Sequence, residues 1–215
     1  MRNDILLGYL VADDFARLNL QTFSGCDVLC VIEKSGGVFN VKEELRGGAL
    51  LRRYSALSKF SRFTFFLSDT EDFGVKRRSV VAFSGGKLIF IADRNRTFDK
   101  AYSPGYGYKS ITVDGDLRVG LCVEKDVADP DCLSALSKQN DVIIDLSADF
   151  SQFNALTFVS AAAYIYRTGI AVLTKKGLYA AKSGGEIIAN GKDIFGKIKI
   201  PVTKNFAVSY TKVKR

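Results

Sequence analysis

Apolar and polar positions come in blocks along this chain of 215 residues. "DILLGYLV" and "DVLCVIE" are near-continuous apolar runs of strand length, the pattern of strands buried on both faces. The second run closes on an acid, Glu33. In "VKEELRGGALLRRYSALSKF" the period changes: Leu45, Ala49, Leu50, Tyr54 and Leu57 recur at helical spacing with charges between them, which predicts a helix. "RFTFFLSD" returns to strand. "RSVVAFSGGKLIFIAD" holds two apolar runs around Ser84-Gly85-Gly86 and predicts a hairpin. "LRVGLCV" and "DVIIDLS" read as strands on either side of "DPDCLSALSKQN", whose Asp129-Pro130 opening suits a helix start. "FNALTFVSAAAYIYRTG" predicts a helix stopped by Gly169. Beyond it the pattern is strand and turn. There is no linker, repeat or low-complexity stretch. Strands alternating with helices, with hairpins among them, predict one domain over residues 1–215 of the α/β class, a layered sandwich with mixed sheets.

Composition narrows the chemistry. The longest apolar runs, such as "SVVAF" and "ALTFVSAAAYIY", are too short or too interrupted to span a bilayer. The opening "MRNDILLGYLVADD" has no basic segment leading into a long apolar core, so it reads as a first strand and the protein is expected to be cytoplasmic, with no membrane partner. Cys26, Cys30, Cys122 and Cys132 fit a reducing compartment, and their spacing, without histidine, is a poor zinc pattern. Four free thiols and no metal are expected. The chain has no histidine at all, which removes Ser-His-Asp triads, Cys-His dyads and His-ligated metals. Acid–base chemistry would have to use Asp, Glu, Lys, Tyr or Cys.

Charge is unevenly placed. Residues 170–215 carry ten Lys/Arg against Glu186 and Asp193, and so hold the entire excess of +8. Such a basic segment suits a polyanion, or it is a set of solvated lysines that keep edge strands from pairing with other chains. No nucleic-acid motif accompanies it, and the second reading is preferred.

Three strand ends carry candidate side chains: Glu33, the stretch "IADRNRTFD", and Cys122. In α/β sheets reactive groups gather beyond the carboxyl ends of strands. A carboxylate, a cation and a thiol brought together there make a workable site, the carboxylate as base for the thiol and the cation as partner of a developing oxyanion. Each residue also has a structural reading. From the residues alone Cys122 reads first as a packed thiol, and Glu33 as a strand-end carboxylate that Arg94 pairs in a salt bridge. Glu124 either orients the site or holds the strand end. Tyr102, Tyr106 and Tyr108 either line a pocket or pack on the sheet.

The chain resembles the nitrilase superfamily of carbon–nitrogen hydrolases, whose patterns are "aDlvvfPE", "dGklig-yrKihLfD" and "rigv-IC-yD-fPE". "CDVLCVIE" is similar to the first, with Glu33 at the glutamate and Ile32 in place of proline. "GGKLIFIADRNRTFD" is similar to the second, with Arg94 at the lysine, Arg96 where many members have histidine, and Asp99 at the aspartate. "LRVGLCVEKDVADPD" is similar to the third, with Cys122 as nucleophile, Glu124 as the acid that follows, and Pro130-Asp131 a few residues later than the family's Pro-Glu. "SKQNDVIIDLSADF" and "YSPGYGYKSITVDG" resemble the strands after and before the cysteine, so the likeness runs from about residue 4 to about residue 200.

That resemblance implies a four-layer α-β-β-α sandwich with two mixed sheets, a Glu-Lys-Cys triad, no cofactor and a homo-oligomer. It implies that Cys122 attacks a small amide, nitrile or carbamoyl substrate, and that Glu33 takes the thiol proton and later activates water. Arg94 and the backbone N–H of Val123 would hold the oxyanion, and a thioester would be hydrolysed. Arginine keeps the charge of the family's lysine but not its compact geometry, and Lys100 lies six residues further on. The resemblance therefore also admits a member that has lost catalysis and serves as a binding or structural module.

Overall fold

The structure, a computed structural model, describes residues 3–13, 20–35, 37–95, 102–105, 107–113, 115, 117–151 and 154–202. The chain runs through β1 (Asp4–Ala12), β2 (Cys26–Glu33), β3 (Val38–Asn40), α1 (Val41–Glu44), α2 (Ala49–Leu57), β4 (Ser61–Asp72), β5 (Val75–Ser84) and β6 (Lys87–Asp93). It continues with β7 (Lys109–Val113), β8 (Leu117–Val123), α3 (Pro130–Ser137), β9 (Val142–Leu146) and α4 (Ala155–Tyr166). Four strands close the described part: β10 (Gly169–Thr174), β11 (Gly177–Ala181), β12 (Ile187–Asn190) and β13 (Phe195–Pro201).

Two mixed sheets result. The first has the order β13-β1-β2-β4-β5-β6, with β3 added beside β4. The second has the order β12-β11-β10-β9-β8-β7. Each is parallel at its centre, β1-β2-β4 in one and β8-β9-β10 in the other, and antiparallel toward its edges. Parallel neighbours require crossovers; α1 and α2 lie between β2 and β4, α3 between β8 and β9, and α4 between β9 and β10. The helices also cover the outer faces.

Strand parity sorts the core into three layers. Val28, Cys30 and Ile32 of β2 meet Val119, Leu121 and Val123 of β8 in the cluster between the sheets. Leu29 and Val31 face the other way, into a cluster with Tyr54 of α2. On the second sheet Cys122, Ile143 and Val172 pack under α3 and α4 with Leu133, Leu136 and Val159. Both faces of the central strands are therefore dry, which is why their sequences are apolar throughout rather than alternating. The architecture is the expected α-β-β-α sandwich with two mixed sheets.

Three local expectations are corrected. The single helix predicted over residues 41–60 is broken into α1 and α2, because Gly47 adopts φ 96° and the chain turns there. The stop of α4 is Arg167, left-handed at φ 51°, while Gly169 already belongs to β10. The strand predicted to end at Asp69 runs on to Asp72 and turns back at once into β5, so "SDTEDFGVKRRS" is a hairpin tip. The predicted turn at Gly85-Gly86 is present, both glycines at positive φ, as a two-residue hairpin requires. Lys197 and Lys199 lie on the edge strand β13. Among the described residues no helix is long and apolar enough to cross a membrane.

Tyr54 anchors the first helical layer. It is buried, its ring stacks on Phe66 at 4.1 Å and meets Phe83 edge-on at 6.2 Å, and burial pushes its phenol up to about 12. Tyr54→Ala is expected to cost about 3–5 kcal/mol of stability in urea unfolding, by opening a cavity between α2 and the sheet.

Candidate functional site at the strand ends

The carboxyl ends of β2 and β4 meet the segments that follow β9 and β10 at one rim of the sandwich. A cavity of about 170 Å³ lies there, lined by Ile32, Glu33 and Ser68 from the first sheet and by Ala148 and Lys175 from the second. Asp69 and Arg78 complete its charged wall together with Lys34.

Glu33 ends the apolar strand β2, so its side chain enters a dry place and is 6% exposed. Arg53 of α2 meets one carboxylate oxygen in an ion pair. The other oxygen, Oε2, is buried and has no hydrogen-bond partner among the described residues.

Arg78 is the hub of the rim. It lies directly across from Asp69 in the β4–β5 register, and the two ion-pair at 2.6 Å. Its Nε stands 3.3 Å from Oε1 of Glu124, on the opposite sheet. The ring of Tyr102 lies 5.8 Å from its guanidinium, and the Tyr102 hydroxyl donates to Asp69 at 3.2 Å. Tyr102 is thus packed on this ion pair.

Glu124 follows β8 and is left-handed at φ 49°, as is Lys125 at φ 72°. Two successive non-glycine residues in this region cost on the order of 1 kcal/mol each. The turn swings the Glu124 carboxylate over the end of β9. Oε1 accepts the N–H of Ala148 at 2.9 Å and Oε2 the hydroxyl of Ser147 at 3.4 Å.

Cys122 points away from all of this. Parity places it on the helix side of β8, in the cluster with Cys132 of α3, and the two sulfurs are 3.4 Å apart. Burial, and then the Cys132 thiol, push the Cys122 thiol well above its ordinary value. Tyr108 packs against the same cluster, and its phenol is raised by burial and by Cys132. Beside Cys122 in register is Asp145, also fully buried. Burial, followed by the charges of Asp126 and Glu124, holds its carboxyl well above the usual carboxylate range, while Arg94 acts weakly in the opposite direction.

Arg94 is fixed through its backbone, donating to the Arg78 carbonyl at 2.8 Å and accepting from Gly105 at 2.7 Å. Its guanidinium Nε is buried and has no hydrogen-bond partner among the described residues. Val123 is buried between the sheets. The structure thus gathers Glu33, Arg78, Asp69 and Glu124 near one rim. It does not bring Cys122 or Arg94 to the lining of the cavity at Glu33. Tyr106, Arg96, Asp99 and Lys100 lie outside the described residues. Among the described residues no group of three or more Cys, Asp or Glu side chains could hold a metal ion.

Arg53, Asp69, Arg78 and Lys175 are absent from the sequence reading. A signal for two of them exists: reading "DTEDFGVKRR" as a hairpin around Gly74 sets Asp69 opposite Arg78, a favourable cross-strand pair.

Two consequences are measurable. Glu124→Ala removes the acceptor of both Arg78 and the Ala148 N–H, and is expected to cost about 2–3 kcal/mol in urea unfolding. Glu124→Gln keeps an acceptor and should cost less. For Asp145 the folded-state value lies above the unfolded one, so folding binds a proton and stability is lost as pH rises from the unfolded value near ~4 toward the folded one. Asp145→Asn removes that dependence. The variant is expected to be more stable than the parent near neutral pH, the two converging toward ~pH 4 in parallel urea titrations.

No family profile matches the chain, and no curated protein does. Solved structures do. The amidase NitN from Nesterenkonia sp. AN1 superposes with a TM-score of 0.69 at 12% identity, covering 94% of each chain. Nit3 of Saccharomyces cerevisiae, a member of branch 10 of the nitrilase superfamily, gives 0.68 at 12% identity over 94% of this chain and 91% of that one. A mutant of the Nesterenkonia amidase, carrying the acetamide moiety of fluoroacetamide on its active-site cysteine, gives 0.69 at 12% identity over 93% and 90%. Identity this low speaks for the fold alone: the chain has the α-β-β-α fold of the nitrilase-superfamily amidases.

Proposed function

We propose that this chain is a non-catalytic binding module on the carbon–nitrogen hydrolase fold. The observation that carries the reading is the placement of the Cys122 sulfur, sealed under α3 against Cys132 and absent from the cavity that Glu33 lines. A nucleophilic cysteine needs a thiolate and a base within reach. Here burial favours the neutral thiol, and the carboxylate expected to be its base is engaged by Arg53.

The motif register supports the same reading. Counted position for position from Arg118, the pattern "rigv-IC-yD-fPE" sets its cysteine on Glu124 and its Pro-Glu on Pro130-Asp131. That removes the delay that appears when Cys122 is taken as origin. The position of the family nucleophile then holds a carboxylate bound to Arg78 and to the Ala148 N–H. Such a carboxylate ties the two sheets together, and it does not form a thioester.

The competing reading, hydrolysis of a small amide through a Cys122 thioester, makes the opposite forecast. A panel of short aliphatic amides, assayed for ammonia, is expected to show no turnover by the parent and no difference in Cys122→Ala. Iodoacetamide is expected to label Cys122 no faster than the equally buried Cys30. Ammonia release that disappears in Cys122→Ala would overturn the proposal.

A further inference from the structure

We infer that the cavity beside Glu33 binds a small amino acid, with its amino group on Glu33 and its carboxylate on Lys175. The inference rests on the reading of the chain as a binding module and adds the class of ligand.

Commitments among the charged residues of the cavity decide which groups remain for a ligand. Asp69 and Arg78 hold each other, and Arg78 also holds Glu124. Lys34 leans toward Asp13 at 3.9 Å. Two groups remain. One is Oε2 of Glu33, on a side chain 6% exposed and without a hydrogen-bond partner among the described residues. A buried carboxylate oxygen left without a donor is costly, and a bound N–H group removes that cost. Arg53 grips the other oxygen and keeps the carboxylate in place.

The other group is Lys175. It opens the tight turn between β10 and β11, where the Thr174 hydroxyl accepts the N–H of Lys176 at 3.1 Å and fixes the backbone. Its side chain is exposed and has no ion-pair partner among the described residues. Glu33 belongs to the first sheet and Lys175 to the second, so a ligand bridging them spans the gap between the sheets.

An acceptor on one wall and a free cation on the other match a molecule with a donor nitrogen at one end and an anion at the other. The volume of about 170 Å³ is below the ~300 Å³ at which drug-sized ligands fit. Ile32, Leu67 and Ala148 supply apolar lining for a short hydrocarbon segment. A simple carboxylate lacks the donor for Glu33, a simple amine lacks the anion for Lys175, and a neutral amide offers Lys175 only a carbonyl oxygen.

The test uses the full chain in calorimetry and thermal melts with glycine, L-alanine and β-alanine. Propionate, propylamine and propionamide serve as single-ended probes. At least one amino acid is expected to bind and raise Tm, more tightly than each single-ended probe by about tenfold. Lys175→Met is expected to weaken that binding by about tenfold while leaving the Tm of the unliganded protein unchanged, since its side chain is exposed. Glu33→Gln should weaken it too. Propionate binding as tightly as the amino acids, or Lys175→Met binding them unchanged, overturns the inference. Ammonia release from propionamide overturns the binding-module reading and this inference with it. Silence in both the ammonia and the amino-acid measurements overturns this inference alone.

Discussion

The ion pairs of Arg78 are what the strand-end rim depends on. Between the sheets the contacts are largely apolar and without direction. Arg78 adds direction, with Asp69 beside it on its own sheet and Glu124 reaching it from the other. Arg78 is itself partly exposed, so its geometry rests on partners that are fixed. Asp69 is fixed by the hairpin register, and Glu124 by the Ala148 N–H and by the left-handed turn. The strain of that turn is stored where a carboxylate must cross from one sheet to the other.

Parity then governs the chemistry. A strand offers alternate residues to opposite faces. In β8, Val119, Leu121 and Val123 take the face between the sheets, and Cys122 takes the helical face. A residue within the strand is held to its face by every neighbour packed on it. Glu124, just past the strand and left-handed, has the freedom to swing across. Asp145, within β9, is closed in beside Cys122, whereas Ser147 and Ala148 lie past the end of that strand and reach the Glu124 carboxylate.

Much of the architecture is legible in the amino-acid sequence, because strands buried on both faces leave continuous apolar runs and the helices change the period. The same dryness hides the face that each residue takes. In "LRVGLCV" both sides of the strand are apolar, so no alternation marks Cys122 as facing the helices. Arg53 and Lys175 are also invisible in sequence, because their place at the site comes from α2 and from a turn of the second sheet folding onto the end of β2. The breaks at Gly47 and Arg167 show a further limit: glycine marks a turn reliably only where nothing else can take its conformation, and Arg167 takes the left-handed stop that Gly169 was expected to provide.

The position of β13 has a consequence for assembly of the chain during synthesis. β1 pairs with β2 on one side and with β13 on the other, Asp4 lying opposite Pro201. The second pairing joins residues almost the whole described chain apart, and contacts this distant form late. On the ribosome, one backbone edge of β1 stays open until β13 emerges. Until then the nascent first sheet presents an apolar strand to any extended segment that passes, and the lysines of β13 become its border only when that strand docks.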